Sequence, residues 1–273
     1  MNKYFTVALL TLFIALNLSA NDREKSVCGV FQEPFLFWVW SSMTPEPDSK
    51  RISNIPFIEP SEFKTSDGKT LRGYKYISND SKNKTSAQGY LLVAMGNTMV
   101  SDQLIGYLRE FSEKNYDVYI YDYRGYANSE GNRRINAIIE DYKEITTSLN
   151  KSYDRKLLYG ISLGGAIVLN VIGSGVVYDA AVVDSAPSFL SPHGCPEWID
   201  PVANLPKDAS KILVITGKKD SVLHESMTSP LREGAHDRGA NTINGENYNH
   251  PFNDKTIEIH NQRMELILNH LTK

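Results

Sequence analysis

The chain has 273 residues, 41% of them hydrophobic and 22% charged, which is the composition of an ordinary globular protein with one substantial core. A formal net charge of -3 and the lack of any dense Lys/Arg run remove nucleic acid from the partners to be considered. The two cysteines form no CxxC pair, and neither a metal nor an organic cofactor is called for.

The opening stretch MNKYFTVALLTLFIALNLSA places one lysine before an apolar run over 4–18, followed by the small residues Ser19 and Ala20. This reads as an export signal over 1–20, because the run is shorter than the ~20 apolar residues that span a bilayer as a helix. Leu18 stands where cleavage prefers a small residue, so an uncleaved N-terminal anchor is the alternative. Export favours a Cys28–Cys195 disulfide, whose long loop could stabilise by up to ~5 kcal/mol in the chain-entropy account. Two buried free thiols are the other reading.

Residues 21–53 form an aromatic arm and linker in which Phe35, Leu36, Phe37, Trp38, Val39 and Trp40 follow one another before any sheet signal. Such a run needs something to pack on. It docks on the domain surface, or it touches a membrane peripherally or lines an acyl-binding groove. A single domain occupies 54–273.

From 54 to 79 the sequence alternates, turns at Ser66, Asp67 and Gly68, and alternates again, the pattern of a β-hairpin. GYLLVAMG is apolar throughout, as a strand buried on both faces of a parallel sheet must be. Leu104, Ile105, Leu108 and Phe111 recur at helical spacing, DVYIYDYRG is a second buried strand, and RRINAIIEDYKEITTSLN is an amphipathic helix. RKLLYGISLGGAIVLN then runs as strand, tight turn and helix. YDAAVVDSA and KILVITGKKD are two further strands, and 256–271 is a closing helix. Strand and helix alternate after the hairpin, so the fold class is α/β: a mostly parallel, doubly wound sheet. Ligands of such sheets bind at the carboxyl ends of the strands, where Ser162, Asp184 and Asp220 fall.

Ser162 is the candidate nucleophile. Gly160 and Gly164 flank it at two residues on either side, allowing a strained strand-to-helix turn that lifts a serine clear of the backbone. The N–H of Leu163, at the helix N-terminus, suits a developing oxyanion, and the backbone N–H of Asn97, after GYLLVAMG, supplies a second donor. A serine hydroxyl needs a base. All six histidines lie at or beyond position 193, and His250, in the polar, turn-prone GENYNHPFND, is best placed to hang over the sheet edge. Asp220 ends the strand KILVITGKKD and would hold the histidine tautomer, with Asp184 as the alternative.

TSDGKTLRGY, VAMGN, DYRGYANSEG, YGISLGG, ITGKKDSV and NHPFND, in that order, resemble the α/β-hydrolase superfamily, in particular its compact bacterial serine hydrolases and eukaryotic protein depalmitoylases. The resemblance runs from about Pro56 to the C-terminus. It implies hydrolysis through an acyl-enzyme, with Ser162 attacking, His250 carrying the proton, Asp220 orienting it, and Leu163 and Asn97 N–H groups holding the oxyanion. Met95 departs from a frequent histidine and Ala127 from a usual glycine. The family inserts a cap where this chain has only a short segment over about 187–207, which implies an open site with an apolar acyl group beside Met95, Phe189, Leu190 and Trp198. The expected activity is that of an exported, periplasmic or secreted serine hydrolase acting on small-molecule or lipid-like carboxylic esters or thioesters. A peptidase or amidase, an acyltransferase, and a non-catalytic binding protein of the same fold are the alternatives.

Overall fold

The order of apolar strands and amphipathic helices builds one eight-stranded sheet in a computed structural model that describes residues 23–78 and 87–273. The export signal expected over 1–20 lies outside the described residues. Helix α1 (Gln32–Ser42) precedes the sheet. Strands β1 (Ile58–Lys64) and β2 (Thr70–Tyr76) form the expected antiparallel hairpin, closed by a turn in which Gly68 takes a φ of 83°. The remaining strands are β3 (Gly89–Ala94), β4 (Tyr116–Tyr121), β5 (Arg155–Ile161), β6 (Ala180–Asp184), β7 (Ile212–Gly217) and β8 (Asn241–Gly245). Their order across the sheet is β1-β2-β4-β3-β5-β6-β7-β8, with every pairing from β4 onward parallel.

Strands β3, β6 and β7 are buried at every position, which is why their sequences are apolar runs and not alternating ones. Helix α2 (Ile135–Leu149) turns Ile135, Ile138, Ile139, Tyr142 and Ile145 inward. Helix α3 (Leu163–Gly173) is apolar all round and buried over all but its last residue, as suits a helix enclosed by its neighbours. Helices α4 (Glu225–His236) and α5 (Ile257–Leu271) complete the layers, and the Thr256 side chain accepts the Ile259 N–H at the start of α5. The helical spacing over 104–111 is realised as short α and 3-10 turns, with Leu104, Ile105, Leu108 and Phe111 all buried.

The cap is short. It consists of three 3-10 turns, Ser191–His193, Glu197–Ile199 and Pro201–Asn204. Asp200 gathers it by accepting the Leu190 and Ser191 N–H groups at 2.6 and 2.8 Å, and Asn170 of α3 donates to the Ile199 carbonyl at 3.0 Å.

The aromatic arm is tied to the body at several points. Cys28 is disulfide-bonded to Cys195 of the cap. Glu33, only 2% exposed, accepts the N–H groups of Val27 and Cys28 and, from α2, the N–H of Ile135 at 2.7 Å. Upstream, Glu24 pairs with the fully buried Arg124, whose guanidinium also meets Asp67 and Asp141.

Candidate active site

β5 ends at Ile161, and Ser162 enters α3 at φ 53° and ψ −118°, a backbone conformation that L side chains rarely adopt. Its N–H donates to the Asp184 carbonyl at 2.8 Å and its carbonyl accepts the Gly165 N–H at 2.9 Å, which fixes the turn from both sides. The flanking glycines are required by contact. A Cβ on Gly160 would lie 2.5 Å from the Gly164 carbonyl oxygen, and one on Gly164 would lie 2.0 Å from the Ala94 carbonyl oxygen of β3. Any side chain at either position would push the helix off the sheet. Leu163 is the first residue of α3, so its N–H has no acceptor within the helix.

Parallel register brings the other candidates to the same edge. Asp184 faces Ile161 across the β5–β6 pair, and Asp220 follows β7 by a tight turn in which its N–H donates to the Gly217 carbonyl. The Asp220 carboxylate receives the N–H groups of Val222 and Leu223 at 2.9 and 2.8 Å, and His250 Nδ1 lies 2.9 Å from its Oδ2 and 3.1 Å from its Oδ1. Burial alone would raise this carboxyl, but the His250 ring and the two N–H donors outweigh it and hold the group below its ordinary pKa.

His250 stands in the loop between β8 and α5, and that loop is pinned. Asn249 Oδ1 accepts the N–H of His250 at 2.7 Å and that of Ser221 at 3.0 Å, stitching the histidine loop to the turn carrying Asp220. Beneath it Arg263, 1% exposed, donates to Asp254 at 3.1 Å and to the Asn249 carbonyl at 3.0 Å, and lies 4.5 Å over the Tyr248 ring. Asp184, the alternative partner for His250, makes no hydrogen bond to it: its fully buried carboxylate sits 3.4 Å from Arg263 and accepts the Tyr159 hydroxyl at 3.3 Å. Burial pushes the Asp184 carboxyl up, against the pull of Arg263 and of the His250 ring.

Ser162, Leu163, Asn97 and His250 line one cavity of about 510 Å³. Asn97 Oδ1 accepts the Tyr126 hydroxyl at 2.9 Å, so its side chain is held and the loop after β3 is fixed. The rest of the lining is largely apolar, with Met99, Leu223, Met227 and Phe252 among it, and among the described residues no Asp, Glu, Lys or Arg contributes.

Of the four residues expected beside an acyl group, Leu190 lines this cavity and Met95, Phe189 and Trp198 do not. Met95 is fully buried in the core, where its carbonyl accepts the Tyr123 hydroxyl at 2.6 Å. Phe189 lies between the buried Ser188 and Leu190 and is turned outward, and Trp198 is 54% exposed beside the inward Ile199. Three lining residues carried no sequence signal as site residues by position: Trp40 and Met43, from α1 and the residue after it, and His193 of the cap. The arm's aromatic run, read as part of an acyl-binding groove, points to Trp40 and to neither of the other two. A second, much smaller apolar cavity of about 40 Å³ adjoins Trp40, Leu163, Leu190 and His193, with Phe37 and the disulfide on its far side.

Comparison with known proteins agrees with this architecture. Over 134 residues the chain is 29% identical to the uncharacterized protein YfhR of Escherichia coli K12, a match covering 47% of each, so it spans about half the length of the curated relatives it matches. The Pyrococcus furiosus esterase Pf2001 superposes with a TM-score of 0.62 at 15% identity, covering 84% of this chain and 98% of that one. A putative dienelactone hydrolase from Klebsiella pneumoniae superposes with a TM-score of 0.63 at 15% identity, covering 79% and 99%. At such identities the likeness is one of fold. The family described as serine aminopeptidase, S33, matches residues 85–233, which span β3 to α4 and include the Ser162 turn. More than half of the sequence is covered by that match, the strand order and the turn agree with it, and the chain belongs to this family of α/β hydrolases.

Proposed function

We propose that the protein is an exported serine hydrolase that cleaves carboxylic esters or thioesters of apolar acyl groups through an acyl-enzyme. The observation that carries the acyl preference is the uncharged lining of the cavity that holds Ser162 and His250. An aminopeptidase must hold a free ammonium group, and burying one without a carboxylate partner is costly. An acyl chain needs only apolar walls.

In this reading Ser162 Oγ attacks the acyl carbonyl carbon while its proton passes to His250 Nε2, and Asp220 on Nδ1 stabilises the imidazolium. The N–H groups of Leu163 and Asn97 hold the oxyanion. Collapse of the tetrahedral intermediate breaks the bond to the leaving oxygen or sulfur, which takes the proton from His250. Water, deprotonated by the same histidine, then attacks the acyl carbon, and collapse breaks the bond to Ser162 Oγ, which takes the proton back from His250 as the acid leaves. Export through the segment over 1–20 is supported by the Cys28–Cys195 disulfide, since such bridges persist in oxidising compartments.

A fluorescent serine-directed phosphonate should label the wild type and neither Ser162→Ala nor His250→Ala, with all three folded. Aryl esters should be turned over far faster than aminoacyl arylamides. An unlabelled, folded wild type would leave a binding protein of the same fold, and preference for the arylamides would restore the aminopeptidase reading.

A further inference from the structure

Helix α1 is apolar on two faces. Its inner face carries Phe37, 3% exposed and packed edge-on against Trp40 and Tyr126. On the outer face Phe31, Phe35 and Trp38 follow at four- and three-residue spacing, 88%, 60% and 63% exposed, with the Phe35 and Trp38 ring centroids 6.1 Å apart. A helix at the surface of a globular protein normally turns a polar face to water. The outward face here is not an accident of a loose segment, because Glu33, the disulfide and the Arg133 to Ser41 hydrogen bond clamp the helix to the body. A rigid frame therefore holds an aromatic stripe in solvent.

We propose that this stripe docks on the surface of a lipid bilayer. The residues that precede the described chain identify the occupant. Their sequence is the apolar run over 4–18, and they join the structure at Arg23, a few residues before Ser26, Val27 and Cys28 make their contacts with Glu33. This run is the uncleaved anchor that the sequence offers as the alternative to a cleaved signal, and an N-terminus retained in that way holds α1 at the membrane. Aromatic rings are the side chains that settle at the headgroup boundary. No helix among the described residues is long and apolar enough to cross a bilayer. Helix α1 carries no lysine or arginine and one buried glutamate, so apolar burial drives the docking and anionic lipid is not required.

The consequence for the site follows from the helix itself. Its last turn and the residue after it place Trp40 and Met43 in the lining of the Ser162 cavity. Docking the stripe holds α1, and with it the Trp40 and Met43 wall of the cavity, at the membrane surface, where esters presented by the bilayer are the nearest substrates. This consequence, though not the docking, rests on the hydrolase reading above.

The test uses the full chain with phosphatidylcholine vesicles whose acyl chains are brominated, a quencher confined to the lipid. Tryptophan emission of the wild type should be quenched, most of that quenching should vanish in Trp38→Phe, and it should fall several-fold in Phe31→Ser/Phe35→Ser. None of this should change in high salt. Quenching that is absent, or that is the same in all three proteins, would overturn the proposal. So would variants that alter only self-association in sedimentation, which would assign the stripe to a second copy of the chain. Turnover of a short water-soluble ester should be equal in all three, since none of the substituted residues lines the cavity. Loss of that turnover throughout would count against the hydrolase reading while leaving the docking result intact.

Discussion

The floor of the Ser162 cavity is made of backbone and the roof of side chains. Below, Gly160 and Gly164 bring β5, α3 and β3 within distances that admit no Cβ, and the groups aimed into the cavity are a serine at positive φ and N–H groups at a helix start. Above, α1 and the cap meet through Cys28–Cys195 and contribute Trp40, Met43, Leu190 and His193. A floor of that kind is set by local sequence and tolerates almost no substitution. The roof depends on contacts between segments far apart in the chain, and it can change shape or chemistry without disturbing the reacting atoms. Under the proposed function, chemistry and selectivity fall in separable parts of one cavity.

The sharpest break between the two comes from the floor. Asp220→Asn should lower kcat on a soluble ester by about 10³- to 10⁴-fold with little loss of stability, because an amide cannot hold the His250 tautomer as a carboxylate does. Asp184→Asn, one strand away, should leave kcat within about tenfold and cost stability, on the order of 1–3 kcal/mol, by uncovering the buried Arg263. Steady-state kinetics and thermal melts on the pair decide it. Equal losses of turnover would mean that Asp184 also orients the histidine.

For the roof, Cys28→Ser/Cys195→Ser should reduce stability by about 2–5 kcal/mol, read from denaturant midpoints. Labelling of Ser162 by a small phosphonate should persist, while discrimination between long and short acyl esters should weaken as α1 and the cap part. Loss of labelling in the folded variant would show that the roof also supports the floor.

The same division decides what could be read from the sequence. The hairpin, the buried strands and the closing helix announce themselves by period and by apolar runs, and the register of β5, β6 and β7 follows from them. Gly160 and Gly164 are legible because a close approach leaves only one residue type, Ser162 because it stands between them at a strand-to-helix turn, and Asp220 and His250 because they end a strand and occupy a polar loop. What the sequence does not show is what Asp184, the alternative, faces: Arg263, a residue of the last helix whose burial no periodic pattern reveals. The roof was harder still. Met95, Phe189 and Trp198 were assigned to the lining by their position near the motifs, yet which way a side chain turns in an irregular segment depends on its neighbours, Tyr123 and Leu190 among them. Trp40 and Met43 reach the cavity only because a helix forms where the sequence shows a featureless aromatic run.

The seam between floor and roof offers the smallest and most pointed test. Tyr126 donates to Asn97 on the floor side and packs against Phe37 of α1 on the roof side, and the next residue, Ala127, takes a φ of 45°. A left-handed alanine is strained, and glycine would relieve that strain at some cost in unfolded-chain entropy. Ala127→Gly should therefore raise stability by about 0.5–1 kcal/mol, or roughly 1–4 °C in Tm for a chain of this size. Ester turnover should not change, because the Tyr126 to Asn97 hydrogen bond is made by side chains that the substitution leaves in place. If stability rises but turnover falls, the strain at Ala127 is what holds Tyr126 against both surfaces, and floor and roof are coupled through this one residue.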